Sequence, residues 1–535
     1  MADKEPDVHR PGTDQSTSVG SSSSPWAPSD GSGTPGADQP TWPSGPGLRS
    51  PSEAPIPVGA SSNSTLLKVI AGMTASFLVV AVAILGVVLI NKDEPAEFRP
   101  AVTTPEDAEA PTPSSSTSPR TQPTDEDDQP SDNSLIDMKG TTPLVELNGD
   151  FLSRIRQIEP TLVNFNYSAE SYDAAIVIGL AAEAAGSDGS DMARRINDIT
   201  RDGEKCNNFE SCTAILDAGG DPDYDGVSGP LEFSGNGEPT QASYGVLQFG
   251  SEGCEETSEC IDESKTQFVA ASAPPDADVE QVPVTMDRAG DGVLQLGSLL
   301  PKTGSLAFLG PPEFAGVDLA VQEMNEAGGV LGKDVTHIEG DSGDTENGVA
   351  PKTVSTLLAK DVDAIIGAAS SSVSLSVIDT IVNAGVVMFS PANTSKKFSD
   401  YNDKGLYFRN APSDILQGSV LADTILADNH KNVFILALND DYGTGLADDL
   451  TKSLEAAGGK VVGKEIYDPK ATDFADVVGS AKNADPDAIA LIGFDESSKV
   501  LSTMIEQGIG PANVPVYGVD GNMGNALAEN FEAGK

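Results

Sequence analysis

From Gly292 onward, short apolar runs alternate with amphipathic stretches of helical length. The runs are Val293–Leu299, Val335–Glu339, Ala364–Ile366, Val386–Phe389, Val433–Leu438, Val461–Tyr467, Ala488–Gly493 and Val514–Val519. A strand followed by a helix pairs in parallel with the next strand, because the crossover carries the chain back to the starting edge. The expectation is an α/β chain. Eight strands with a break at Tyr407–Pro412 suit two doubly wound parallel sheets in two lobes joined by a hinge. The second set of strands reads as unfinished at Lys535.

One stretch concentrates polar chemistry within this frame. The strand Ala364–Ile366 ends in Gly367-Ala368-Ala369, and Ser370, Ser371 and Ser372 then open a helix. Serines at a helix start combine hydroxyls with free backbone N–H groups and the positive end of the helix dipole. The next strand, Val386–Phe389, runs into Ser390-Pro391-Ala392-Asn393-Thr394. Loops at the carboxyl ends of adjacent parallel strands are neighbours, so the two form one small polar edge suited to an anion and an amine. The plainer account, that Ser370–Ser372 is only a helix cap, stands beside it.

Charge narrows the function classes. A formal net charge of −50 offers no basic footprint for phosphates, so no nucleic-acid partner is expected. The three histidines, His9, His337 and His430, lie far apart, which signals neither a histidine metal site nor a histidine triad. No cofactor is expected. Gly443-Thr444-Gly445 lacks the third glycine of a dinucleotide loop, since Asp448 stands there. No G-x-S-x-G elbow occurs, and acid pairs carry no information in so acidic a chain, so the expectation is a protein that is not an enzyme. Cys206/Cys212 and Cys254/Cys260 are both spaced C-x5-C, outside the C-x2–4-C of zinc sites. Two short-range disulfides in an oxidising compartment are the better reading.

Upstream, residues 1–64 are rich in Ser, Pro, Gly and Asp and lack the apolar surface to offset ordering entropy; a disordered tail is expected. Val69–Ile90 is uncharged and long enough to cross a bilayer, giving a transmembrane helix over 66–90. The cysteines then place the N-terminus in the cytoplasm and everything after Lys92 outside, a single-pass membrane protein. Residues 92–134 read as an acidic, extended, disordered stalk. Residues 135–250 hold a strand at Asp137–Val145, helices at Gly149–Gln157, Ser168–Ala185 and Asp191–Thr200, and a hairpin of Val227–Phe233 with Ala242–Phe249. Tyr172–Ala185 is apolar nearly all round and needs burial on several sides, yet the block has no sheet of its own. Residues 251–290 are polar and read as a linker.

The stretch Gly292–Gly332, with GAASSS, SPANTS, DYGTGLA and YGVDG following in order, resembles the branched-chain amino-acid-type (Leu/Ile/Val-binding-protein-like) solute-binding proteins of ABC importers. The resemblance runs to Lys535. MKGTTP, SYDAAIVIGLAAEAAG and YDGVSGPLEFSGNGEP, all upstream, resemble that family's C-terminal third. It implies a circularly permuted, membrane-anchored binding protein: 135–250 the C-terminal third, 291–535 the N-terminal two-thirds. The linker 251–290 joins the old ends, reaching up to roughly 130 Å if extended. One lobe would hold 291–410 with 145–226, the other 413–535 with 136–144 and 227–250, and crossings near Pro143, Val227 and Pro412 would form the hinge. A damaged tandem receptor or a swapped dimer is the alternative arrangement.

The implied function is capture of a small amino-acid-like ligand by lobe closure, for delivery to an ABC permease. The alternatives are a ligand-sensing ectodomain, a pocket for amides or urea, or a surface protein whose pocket binds nothing. By motif, Ser370 and Thr394 would hold the ligand carboxylate, assisted by Ser371 and Ser372. The Ala392 carbonyl and Thr394 hydroxyl would meet its ammonium, completed by Asp520, with Asp495 as rival. Tyr442 would close over the ligand, and Phe308 or Leu309 and Phe494 would line the side-chain pocket. Each residue also has a plain role open to it: Tyr442 and Phe494 as packing, Asp520 as a helix cap.

Overall fold

The strands of the computed structural model, which describes residues 135–250, 261–273, 281–345, 347–524 and 527, form two large sheets. All these residues lie in one compact unit spanning Arg120–Lys535. In chain order the strands are β1 (Lys139–Pro143), β2 (Glu204–Cys206), β3 (Pro222–Tyr224), β4 (Gln241–Gln248), β5 (Gln267–Ser272), β6 (Gln295–Leu300) and β7 (Thr336–Asp341). They continue as β8 (Ala364–Gly367), β9 (Val387–Ser390), β10 (Tyr407–Arg409), β11 (Asn432–Leu438), β12 (Lys460–Tyr467), β13 (Ala488–Ile492) and β14 (Val516–Gly518). The helices that matter below are α1 (Gly149–Ile158), α2 (Ser168–Ala185), α3 (Phe209–Asp217), α4 (Gly310–Glu326), α5 (Ala350–Ala359), α6 (Ser371–Asn383), α7 (Asp414–Ala427) and α8 (Asp441–Ala456).

The first lobe is a five-stranded sheet of order β10-β9-β8-β6-β7, parallel throughout. Strand β8 is buried at every residue, as a strand with helices on both faces must be. Helix α2 meets the demand its composition makes. Ile176, Val177, Ile178 and Leu180 are fully buried, each stabilising the fold by about 1.5–3 kcal/mol. It crosses α4 where a Cβ on Gly316 would lie 2.3 Å from the Ser168 carbonyl oxygen, so only glycine permits that approach. The upstream block and the downstream block therefore share one core.

The second lobe is a seven-stranded sheet, β12-β11-β13-β14-β1-β4-β5. Strand β1 pairs in parallel with β14 through Lys139 and Tyr517, and antiparallel with β4 on its other side. The edge strand β12 exposes Lys460 and Lys464, charges that discourage edge-to-edge pairing. Two sheets with separate cores fit the two-lobe expectation.

Several expectations need correction. The stretch 251–290, read as a linker, contributes β5, which pairs antiparallel with β4 and makes the second sheet mixed. Its six residues are mostly exposed, so no strong apolar run announced it. The hairpin partner of β4 is β5, whereas Val227–Phe233 forms no strand, only isolated bridges at Gly226 and Phe233. Residues 227–239 also pack with the first lobe: Phe233 sits against Phe389, and Glu238 is paired with Arg409 of β10. The middle crossing thus lies at Pro239–Gln241. The break at Tyr407–Pro412 begins with β10, too short to show a pattern. Asp191–Thr200 is a 3-10 turn, Ser190–Arg194, followed by a single helical turn, Ile196–Ile199.

Cys206 and Cys212 are joined in a disulfide, with Cα atoms 5.3 Å apart at the start of α3. Cys254, Cys260, the tail 1–64, the segment 66–90 and the stalk 92–134 lie outside the described residues. Among the described residues no helix is long and apolar enough to cross a membrane.

Candidate ligand-binding site

A narrow pocket lies between the lobes. The first lobe supplies Ala369, Ser370, Ser371, Ala392 and Thr394; the second supplies Tyr442, Phe494, Asp520 and Gly521. Leu306 and Leu309 close one wall, and Tyr167 comes from the turn before α2. Eight of the ten residues expected at a ligand site therefore line one cavity.

The first-lobe half is built from the ends of β8 and β9. Gly367 has φ +120°, and a Cβ there would sit 2.1 Å from the Leu299 carbonyl oxygen, so the chain turns out of β8 only because this residue is glycine. Ser370 is the N-cap of α6, its hydroxyl accepting from the Val373 N–H at 3.4 Å. It caps the helix and lines the pocket, so the two readings of the serine run hold together. The Ser371 hydroxyl accepts from the Ser395 N–H at 3.3 Å and ties the two loops to each other. Asn393 donates to the Ala368 and Ala369 carbonyls at 2.9 and 2.8 Å. Behind it, Arg409 donates to the Asn393 and Ser395 carbonyls at 3.0 and 2.9 Å and is paired with Glu238. Thr394 is thus presented on a loop whose backbone is held from below by a fully buried guanidinium.

The second-lobe half centres on Asp520, in the loop after β14. Tyr442 donates to its Oδ1 at 2.6 Å, Gln417 of α7 to the same oxygen at 2.9 Å, and Tyr167 to its Oδ2 at 2.9 Å. Burial pushes the Asp520 carboxyl up, and the hydrogen bonds from Tyr442, Gln417, Tyr167 and the Gly521 N–H work the other way. Three side-chain donors thus engage the carboxylate, while the Gly521 N–H also donates to the Tyr442 hydroxyl at 3.3 Å. Both tyrosines that donate to Asp520 line the cavity as well. Tyr442 is the second residue of α8, where Asp440 caps the helix by accepting from the Gly443 N–H at 2.7 Å. Its ring stacks on Phe494 with centroids 5.3 Å apart and planes 11° from parallel.

Two expected residues lie elsewhere. The Ser372 hydroxyl spans the cleft outside the pocket, donating to Asp440 Oδ2 at 3.1 Å and accepting from the Asp441 N–H at 3.0 Å. One step further round the helix than Ser371, it faces the opposite lobe instead of the cavity. Phe308 lines an adjoining recess with Phe494, Asp495 and Gly521. Asp495 is exposed at the cleft mouth and does not rival Asp520. Further contacts hold the lobes against each other, with Lys396 on Asp449 at 2.8 Å and Lys397 on Asp441.

Four residues that matter here escaped the sequence reading: Tyr167, Gln417, Arg409 and Asp414. Asp414 is fully buried at the start of α7, its N–H donating to the Thr394 carbonyl at 2.7 Å. Burial, then the nearby Asp520 charge, push its carboxyl well above the usual range. Neither oxygen meets hydrogen-bond geometry with a donor, although Thr394 stands close enough to favour the charged form slightly. The sole hint in the sequence was its place right after the break at Tyr407–Pro412.

Residues 293–531 match the family model described as periplasmic binding protein. Among curated proteins, the chain is 29% identical over 249 residues to Leu/Ile/Val-binding protein homolog 2 of Brucella abortus, covering 46% of this chain and 65% of that one. It is 28% identical over 233 residues to the Leu/Ile/Val-binding protein BraC3 of Rhizobium johnstonii, covering 43% and 61%. The matched part thus spans less than two thirds of either relative's length. Among solved structures it is similar to a branched-chain amino acid transporter substrate binding protein of Streptococcus pneumoniae in complex with isoleucine. That likeness has 27% identity, a TM-score of 0.40, and covers 45% of this chain and 68% of the other. A leucine binding protein of Thermotoga maritima gives 23%, 0.41, 45% and 67%. Over residues 293–531 the chain is thus similar to periplasmic binding proteins of the branched-chain amino-acid type.

Proposed function

We propose that this protein captures a small amino-acid-like ligand between its two lobes, as the extracytoplasmic binding component of an ABC importer. The observation that carries the reading is the pocket lined by Ser370 and Thr394 from one lobe and Tyr442 and Asp520 from the other. A ligand carboxylate sits at the start of α6, where free N–H groups, the Ser370 and Thr394 hydroxyls and the helix dipole favour negative charge. Its ammonium meets the Ala392 carbonyl and the hydroxyl oxygens of Tyr442 and Tyr167, with Asp520 supplying the counter-charge behind them. Leu306, Leu309 and Phe494 take the side chain. Closure removes water from the pocket and strengthens each of these contacts.

Similarity to Leu/Ile/Val-binding proteins makes branched aliphatic amino acids the first candidates. One observation favours a second reading: with three donors already on its carboxylate, Asp520 would also tolerate a neutral amide or urea. A thermal-shift panel of amino acids, amides and urea decides. A true ligand at 100 times its Kd stabilises the fold by about 2.7 kcal/mol, and Thr394→Ala abolishes most of that shift. A panel in which no compound shifts the melting temperature would sink both readings.

We also propose that the binding domain is circularly permuted and is held at the membrane by residues 66–90, with the N-terminus cytoplasmic. The parallel pairing of β1 with β14 and the shared core of α2 and α4 support permutation, since each block completes a lobe of the other. Residues 135–273 and 281–535, produced separately and mixed, are expected to associate and regain ligand binding. If each folds alone without affinity for the other, permutation is wrong.

A further inference from the structure

On the side of the molecule where the chain passes three times between the lobes, those passages wall a recess with a cavity volume of about 220 Å³. The passages are Pro143–Val145, Pro239–Gln241 and Asn410–Pro412, and β5 closes one end with Ala270, Ala271 and Ser272. It shares no lining residue with the ligand pocket. Its walls are apolar for the most part, with prolines on all three passages.

Six polar side chains, Glu170, Ser228, Gln241, Ser243, Ser272 and Asn410, interrupt those walls, and two of them matter here. Glu170, on the first turn of α2, is 6% exposed, and Asn410 is 5% exposed. Asn410 donates from Nδ2 to the Glu170 backbone carbonyl at 2.7 Å, while its Oδ1 is buried with no hydrogen-bond partner. An unpaired buried amide oxygen costs about 1–3 kcal/mol, so a donor in the recess would be welcome. The described lining holds one acid and no lysine or arginine. The groups facing Glu170 deepen that imbalance: Asp173 lies one turn along α2, and Glu313 of α4 is fully buried with both oxygens unpartnered. Asp173 itself is engaged by Tyr224, Val227 and Ser228.

We propose that this recess is a second binding site, for a small primary ammonium ion with a short alkyl tail. The ammonium sits between the Glu170 carboxylate and Asn410 Oδ1, and the tail packs on the prolines of the three passages. An ammonium supplies the donor that Asn410 lacks and the positive charge that Glu170 lacks, and one carboxylate is too few anionic ligands to strip the water from a metal cation. Burial pushes the Glu170 carboxyl up to about 8, with Asp173 adding to it and its own backbone N–H opposing. Near neutral pH the arriving cation therefore displaces a proton from Glu170 to the buffer. The passages are the segments that bend if the lobes move, so an occupant also biases closure. That coupling, though not the site, rests on the lobe-closure reading.

The test titrates the full chain with n-butylammonium chloride by calorimetry, with n-butanol and sodium butyrate as controls. Saturable one-to-one binding of butylammonium alone is expected, with heats that vary with buffer ionisation enthalpy because a proton is released. Glu170→Gln weakens it by about tenfold or more; Val145→Phe, which fills the recess, abolishes it. Asp520→Asn, a change in the other pocket, retains it. Absence of saturable binding, or equal binding to Glu170→Gln and Val145→Phe, overturns the proposal. Loss in Asp520→Asn with retention in Val145→Phe also overturns it, by placing the amine in the cleft. A cleft that binds no amino acid leaves the butylammonium result standing.

Discussion

The two lobes bring opposite chemistry to the same pocket. The first offers hydroxyls and backbone N–H groups at the ends of β8 and β9, held rigid by Asn393 and the Arg409–Glu238 pair. The second offers stacked rings and an anion, Asp520, at the ends of β11, β13 and β14. Each half alone is a poor site: one lacks a counter-charge for an amine, the other lacks donors for a carboxylate. On the proposed reading, a zwitterion would satisfy both only when they meet, and its affinity would depend on closure. Tyr167 crosses this division, coming from the turn before α2 to donate to Asp520.

That contrast can be broken from either side. The largest effect is expected from Arg409→Ala, which leaves Glu238 without its counter-charge and takes a donor from the Asn393 and Ser395 carbonyls in the first lobe. Stability should fall by about 3–5 kcal/mol in urea denaturation. A loss below 1 kcal/mol would mean that the loop does not depend on the guanidinium. Next is Asp520→Ala in the second lobe: ligand affinity should drop by about 2–3 kcal/mol in titration calorimetry. Unchanged affinity would remove the anion from the site.

Glu170 tests the passages between the lobes. Its folded-state carboxyl holds a proton up to about 8, whereas the unfolded chain releases it near 4.5. Within that window the folded state binds more protons, so this group makes stability fall as pH rises, by up to about 1.4 kcal/mol per pH unit. In Glu170→Gln that contribution vanishes, and melting temperatures measured from pH 5 to 8 should decline less than in the parent. Parallel curves would show that Glu170 ionises in the fold as it does in the unfolded chain. The smallest effect belongs to Ser372→Ala. Its hydroxyl bridges the lobes without reaching the pocket, so affinity should weaken by about 0.5–1 kcal/mol, chiefly through faster release in stopped-flow traces. A loss as large as that of Asp520→Ala would return Ser372 to the ligand.

Much of this was legible beforehand, for identifiable reasons. Strands such as Ala364–Gly367 and Ala488–Ile492 are buried on both faces and read as unbroken apolar runs. Gly367, the serine run and Thr394 sit on short loops between such strands, so local order already placed them together. What escaped was non-local or patternless. Tyr167 and Asp520 are 353 residues apart, and nothing around Tyr167 marks a side chain that will reach the other lobe. Gln417 and Asp414 face inward from α7, a helix buried on much of its surface, where periodicity does not distinguish a functional polar group from a packed one. Strand β5 is half exposed and β10 has three residues, below what alternation can detect. Residues 227–239 follow the first lobe because of Phe233 and Glu238, two contacts that no spacing rule encodes.

The position of β1 in its sheet has a mechanical consequence. The strand lies between β14 and β4, paired with β14 at Lys139 and Gly140 and with β4 from Lys139 to Pro143. A pull delivered through the chain before Leu135 runs along β1, so its ladders are loaded together in shear instead of opening one rung at a time. The lobe that carries Asp520 would stay folded under tension that peels an edge strand such as β5.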